Sequence, residues 1–336
     1  MKIHIKNAIQ TACFSFAVIT NVTLIILIMT RSPAKLGTYK YLMIFFSTVS
    51  TGYSFMEYFC NPLLLSFGDC FQVVTKIQFE RFPQMDQYLL DYGCGFCGII
   101  LSMFVVHFVF RFFALQRRGN LKYFEGWYFS CWLGVPVLIG ILWAQAVRMF
   151  LHGDEESSEY IREILLQNYN LNISDVAYVG VLYHKKTSFG TDILNYNGIQ
   201  GILVLGTIMT ICFIFILYFG VLTYQRIKQL IMEGRSEYTK KLQKQLYQAL
   251  VIQTIIPIFF MILPLSIYFF SPLFHLGHQI IGDFTTWSCA LYPVIDPLPV
   301  MFVIDNYRLA ILEFFGCIKN SRELNVNVTS SSGLDN

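Results

Sequence analysis

GIQGILVLGTIMTICFIFILYFGVLTY, running from Gly198 to Tyr224, contains no Asp, Glu, Lys or Arg. About 20 helical residues cross the roughly 30 Å of hydrocarbon in a bilayer. A run this long and apolar on every face does not suit the core of a soluble domain. Working outward, six further runs have spanning length: Ala8–Met29, Tyr41–Cys60, Gly93–Phe113, Trp127–Val147, Leu246–Phe270 and Ile280–Ile304. Composition agrees, with 55% hydrophobic and only 13% charged residues, and a mean hydropathy of +0.53. The first run is longer than the apolar core of a secretory signal and lacks a convincing cleavage site. The expected fold is all-α: a seven-transmembrane helix bundle over residues 1–304, with a tail at 305–336.

Seven spans put the termini on opposite sides, and basic residues choose the side. Arg31, Lys35 and Lys40 follow the first run, Arg117, Arg118 and Lys122 the third. Arg226, Lys228, Arg235, Lys240, Lys241 and Lys244 follow the fifth, which makes twelve in three short loops. The alternate loops carry six: Lys76, Arg81, Arg148, Arg162, Lys185 and Lys186. Lys2 and Lys6 pull weakly the other way. The N-terminus is therefore expected outside the cell and the C-terminus in the cytosol.

The net charge of +3 is too small to suggest nucleic acid as a partner. No zinc-protease, nucleophile-elbow or phosphate-loop motif occurs, so no enzyme is expected. No cofactor and no metal site are expected either: the nine cysteines form no Cys/His cluster, and the CxxC of Cys94 and Cys97 beside an apolar run reads as incidental. The seventh run has no lysine, which excludes a retinal Schiff base there. Intramembrane charges are sparse and no internal repeat is visible, which leaves a seven-span transporter of a small solute as the alternative to a receptor.

Four segments carry a resemblance. They are Lys35 to Met43 after the first run, His107-Phe108-Val109-Phe110-Arg111-Phe112 at the end of the third, Leu242 to Pro257 entering the sixth, and Tyr292 to Pro297 with Tyr307-Arg308 around the end of the seventh. Together, in this order over nearly the whole chain, they resemble the Str class of nematode serpentine receptors. The resemblance implies a G-protein-coupled odorant receptor in the plasma membrane of a sensory neuron cilium. It also implies a small-molecule odorant, a heterotrimeric G protein and membrane lipid as partners. The family usually has tyrosines where this chain has Phe110 and Phe112. Val300 stands where the related element of better-known receptors has a tyrosine.

Arg111, at the end of the third span, is either a positive-inside anchor or the arginine that meets helix six or the G protein. Lys240, Lys241 and Lys244 are either lipid-facing anchors or part of the coupling surface. Asp296 lies about eight residues, roughly 12 Å, above the end of the seventh span. Asn21 lies at similar depth, and with His107 the two are expected to form a polar lock between helices. Pro257 and Pro264 suit a helix whose inner half swings outward. By analogy, the ligand is expected among Glu57, Cys97, Leu101, Phe104, Ile208, Phe259 and Phe269 in the outer halves of the spans; Glu57 also reads as a residue facing water, and the others as ordinary packing.

Asn172-Ile173-Ser174 is a glycosylation acceptor in the long loop, whereas the matches at Asn21 and Asn327 fall in a span and in the tail. The loop has no cysteine, so Cys70 is expected to pair with Cys94 if a bridge forms. Cys317 follows an amphipathic stretch from Tyr307 to Gly316 and is either a palmitoylation candidate or a free buried thiol. Beyond it, the Ser/Thr-rich end that includes Ser330 to Ser332 is expected to be disordered.

Overall fold

The computed structural model describes residues 3–33, 36–79, 81–116, 120–186, 192–232 and 237–317. Lys35, Arg117, Arg118, Arg235 and the tail from 318, with Asn327 and Ser330 to Ser332, lie outside the described residues. The helices are α1 (Ile3–Arg31), α2 (Tyr39–Cys60), α3 (Pro83–Ala114), α4 (Trp127–Phe150), α5 (Glu155–Tyr169), α6 (Tyr196–Met232), α7 (Glu237–Pro257), α8 (Leu263–Phe270), α9 (Gln279–Ile295), α10 (Leu298–Val303) and α11 (Asp305–Phe314). Among the described residues, six continuous helical segments are long and apolar enough to cross a membrane. The 22-residue α2 has the length but more Ser, Thr and Tyr along it. Helix six comprises α7, a π-helical turn at Ile258–Ile262 and α8, with Pro257 and Pro264 at the two junctions. Proline's missing N–H and its ring clash with the preceding turn account for a break at these places.

Where helices meet, small residues let the backbones approach. A Cβ on Gly140 of α4 would sit 2.3 Å from Ile99, and one on Gly95 of α3 would sit 2.6 Å from the Gly140 carbonyl. Small residues at a helix crossing replace the hydrophobic drive that lipid cannot supply.

The chain is mostly helical as expected, with short strands that the sequence reading did not anticipate. The strands are β1 (Leu63–Phe67), β2 (Cys70–Lys76), β3 (Val176–Leu182), β4 (His184–Lys186) and β5 (Asp192–Leu194). The first three form an antiparallel sheet in the order β1-β2-β3, and β4 pairs with β5. A tight turn at Gly68, with φ +50°, joins β1 to β2. These strands of three to seven residues escape a search for 20-residue runs. The long loop is ordered too: α5 is capped by Asp154, whose Oδ1 accepts the Ser157 N–H at 3.0 Å. Ile161, Leu165 and Tyr169 of α5 cover the sheet, packing in one cluster with its Leu63, Leu65 and Val74.

The sheet and Ile3 lie on one face of the bundle, here called the N-terminal face. Arg31 at the other end of α1 meets Glu313 of α11 at 3.4 Å, which defines the C-terminal face.

Candidate functional site

On the N-terminal face the sheet roofs a chamber. Leu64 and Val73, directly opposite each other in the β1–β2 register, line it from above. Tyr53, Met56 and Glu57 of α2, Cys94 and Cys97 of α3, and Cys289 of α9 form its walls. The cavity volume is about 90 Å³. A second hollow of about 20 Å³ shares Cys97 and Leu265 with it and adds Leu101, Trp143, Met261 and Phe269. Four cysteines of nine, Cys60, Cys94, Cys97 and Cys289, therefore border one chamber whose single charged wall residue, among the described residues, is Glu57. Gln10 donates from α1 to Glu57 Oε1 at 3.4 Å. Nearby, Lys6 turns inward and donates to the Asn61 carbonyl and Oδ1 at 2.8 and 2.7 Å, tying α1 to the end of α2.

The expected ligand set divides. Glu57, Cys97, Leu101 and Phe269 line the two hollows. Phe104 is buried deeper in the core against Phe46. Ile208 packs beside the second hollow without lining it. Phe259 is 60% exposed and lines neither hollow, so its place in the set is corrected. The π-helical turn adds a residue to the helical repeat and changes which side chains of helix six face inward.

Cys70 and Cys94 are both free thiols. They sit in different apolar layers, Cys70 under α5 and Cys94 against the helix cluster of Trp143 and Leu90. Burial pushes the Cys70 thiol up to about 12. The expected bridge is thus not formed. Asn172 is exposed at the start of a 3₁₀ turn on the N-terminal face and donates to Asp175 Oδ2 at 3.3 Å.

At the C-terminal face the chemistry gathers around Arg111. Its side chain is 2% exposed. Nη2 donates to the Gln243 carbonyl of α7 at 3.1 Å, and the guanidinium lies 5.3 Å from the centre of the Tyr39 ring. A positive-inside anchor would reach for the interface; this arginine instead joins three helices. Phe110 packs against Tyr39 and Phe124, so ring packing persists there without a tyrosine hydroxyl.

Next to it, Lys241 of α7 pairs with Asp305 of α11 at 2.6 Å. Hydrogen bonding from Lys241 holds the Asp305 carboxyl below the usual carboxylate range. Lys240 pairs within its own helix with Glu237, and Lys244 is exposed. The Ser32 and Tyr307 hydroxyls meet at 2.7 Å, fastening α11 to the end of helix one. Cys317, an exposed free thiol, follows α11.

The expected polar lock separates into two. Asn21 Nδ2 donates to the Pro293 carbonyl of α9 at 2.9 Å, linking helices one and seven. Asp296 is 1% exposed, and neither of its carboxylate oxygens has a hydrogen bond among the described residues. Its carbonyl accepts from Gln253 of α7 at 3.1 Å. His107 belongs elsewhere: its Nδ1 lies 3.3 Å from the Tyr39 hydroxyl, with Phe46 against its ring. Depth along a helix was readable from the sequence, but the direction around the helix axis, which decides partners, was not.

Fold and faces together define a multi-pass helical membrane protein, braced across three helices at one face and hollowed beneath a small sheet at the other. The family described as serpentine type 7TM GPCR chemoreceptor Str matches residues 6–312, and the chain belongs to that family. G-protein coupled receptor str-217 of Caenorhabditis elegans is 31% identical over 316 residues, covering 92% of this chain and 89% of that one. Serpentine receptor class r-10 of C. elegans is 31% identical over 308 residues, covering 90% and 88%. The protein called serpentine receptor class r-10 in C. briggsae is 29% identical over 318 residues, covering 93% and 90%.

Proposed function

We propose that this receptor holds its N-terminal face outside the cell, binds a small, volatile odorant in the chamber beneath the sheet, and signals through a heterotrimeric G protein at its C-terminal face. The observation that carries the reading is Arg111, buried yet bonded to the backbone of helix six. A charge without water is costly in the membrane and marks function by default. Held by a carbonyl and a ring rather than by an acid, it can be released when helix six moves, and the freed guanidinium is then available to a partner. Lys240, Lys241 and Lys244 lie on the same helix and extend that surface. The Lys241–Asp305 pair would also have to open or shift as α7 moves.

The chamber is small and mostly apolar, with soft sulfur atoms and one carboxylate, which favours a compact ligand over a large polar one. The plasma membrane, and a sensory cilium in particular, is the setting this function requires. Asn172, exposed on the proposed outer face, is then open to glycosylation. Cys317, just beyond α11, is then open to acylation.

The test is a panel of small volatile compounds applied to cells expressing the receptor, with G-protein activation and solute uptake read in parallel. A ligand-dependent G-protein response without net uptake is expected, and Glu57→Gln or Leu101→Trp should change the responding set. Solute uptake without G-protein activation would favour the transporter reading instead.

A further inference from the structure

Three residues far apart in sequence meet on the N-terminal face. Asp69 occupies the turn between β1 and β2, His184 begins β4, and His275 follows the short turn after α8. One donor atom from each lies within 4.8 Å of the others. His275 Nδ1 is hydrogen-bonded to Asp69 Oδ1. His184 Nδ1 is 3.8 Å from that same oxygen. The two imidazoles stack with centroids 4.3 Å apart. Two rings thus turn the same edge toward a single carboxylate oxygen.

The backbone holds this arrangement from several directions. Gly68 and Gly277 exchange two N–H···O bonds of 3.0 Å each, locking the residue before Asp69 to the second residue after His275. A Cβ on Gly277 would sit 2.4 Å from the Gly68 carbonyl, so the approach requires glycine. The Tyr183 N–H donates to the Asp69 carbonyl at 2.9 Å, which places His184 alongside. His275 itself is in the left-handed region at φ +61°, a conformation that costs a non-glycine residue energy. His184 Nδ1 is buried without a hydrogen-bond partner among the described residues, and buried ring nitrogens ordinarily have one.

We propose that Asp69, His184 and His275 form a binding site for one divalent transition-metal ion of the zinc class. Two imidazoles and a carboxylate are a donor set suited to zinc and its neighbours rather than to calcium or magnesium. Tetrahedral bonds of about 2.0–2.1 Å place donors about 3.3 Å apart, so His184 must close on the Asp69 oxygen from 3.8 Å while the hydrogen-bonded His275–Asp69 pair parts to admit the ion. With neutral imidazoles the three side chains carry one net negative charge. Lys185, the residue after His184, is engaged with Asp154 and Glu156. His278 is not a competitor, because its Nδ1 already accepts the Ile280 N–H at 3.2 Å. His275 is 62% exposed in its side chain, leaving water a coordination position. An ion here ties the β1–β2 turn to β4 and to the loop after α8, the segments beside the chamber's roof. The site depends on the proposed receptor function only for its access from outside the cell.

Zinc titration of the full-length receptor in nanodiscs, with its thiols alkylated, tests the site. Both faces are open to solvent there, and neither odorant nor G protein is needed, so failure would leave the receptor reading standing. We expect one zinc per receptor and a melting temperature that rises with zinc. His275→Ala, His184→Ala and Asp69→Asn should each weaken binding at least tenfold and remove the zinc-dependent rise, while the metal-free melting temperature of His275→Ala stays close to that of the parent. Absence of stoichiometric binding, or parental affinity in His275→Ala, would overturn the proposal.

Discussion

Replacing Arg111 with alanine removes the hydrogen bond from Nη2 to the Gln243 carbonyl and the ring contact with Tyr39. A hydrogen bond to a charged group contributes about 1.5–3 kcal/mol. At about 1.36 kcal/mol per decade, the balance between held and released helix six shifts by roughly 10- to 160-fold. A released population of about 1% would then rise to between about 10% and 60%. The assay pairs spin labels at Lys122 and Lys244, with the exposed Cys131 and Cys317 replaced, and measures their distance distribution without ligand. A longer-distance component should grow in Arg111→Ala, while surface expression stays near the parent level.

The same substitution should abolish the G-protein response, because the group proposed to engage the partner is gone. Arg111→Lys separates charge from geometry: it keeps the positive charge but loses the planar fork of donors. It should release helix six to a lesser degree and couple poorly. An unchanged distance distribution in Arg111→Ala, combined with full signalling by Arg111→Lys at matched surface levels, would refute the reasoning. Arg111 would then be a topological anchor.

Asp296→Asn keeps the shape of a buried side chain whose oxygens lack hydrogen bonds among the described residues. Because it removes a charge from a low-dielectric site, the melting temperature should hold or rise. A fall of more than a few degrees would mean that the carboxylate has a partner. The depressed carboxyl of Asp305 contributes stability above the unfolded-state value of about 4, and loses it as pH falls through its lower folded value. Lys241→Ala should reduce that acid dependence, with Arg308 still paired to Asp305, at a cost of about 0.2–1 kcal/mol, given that Lys241 is 68% exposed; melting curves across pH 3–6 measure it. An epitope before Met1 should stain intact cells and one after Asn336 only permeabilised cells. The reverse pattern would remove the proposed orientation.

The apolar runs by themselves pointed to a membrane-spanning helical bundle, and six helices of spanning length follow among the described residues, because a bilayer reads length and hydropathy before any tertiary contact forms. The order of the four motifs, from Lys35 to Arg308, likewise carried the family. The expected arginine at the end of helix three was legible because a charge in such a run stands out.

What only the tertiary structure decided was direction and company. A helix fixes how deep Asn21, His107 and Asp296 sit, but the rotation set by packing sends Asn21 to the Pro293 carbonyl and His107 to Tyr39. The π-helical turn after Pro257 left Phe259 facing outward, and no hydropathy count registers a one-residue shift in register. The roof of the chamber rests on pairings such as Leu64 with Val73 and Val73 with Val179, the latter joining segments over a hundred residues apart. Asp69, His184 and His275 are invisible as a group in one dimension, since no spacing connects them. Chain closure through the sheet and the Gly68–Gly277 bridge brings them together.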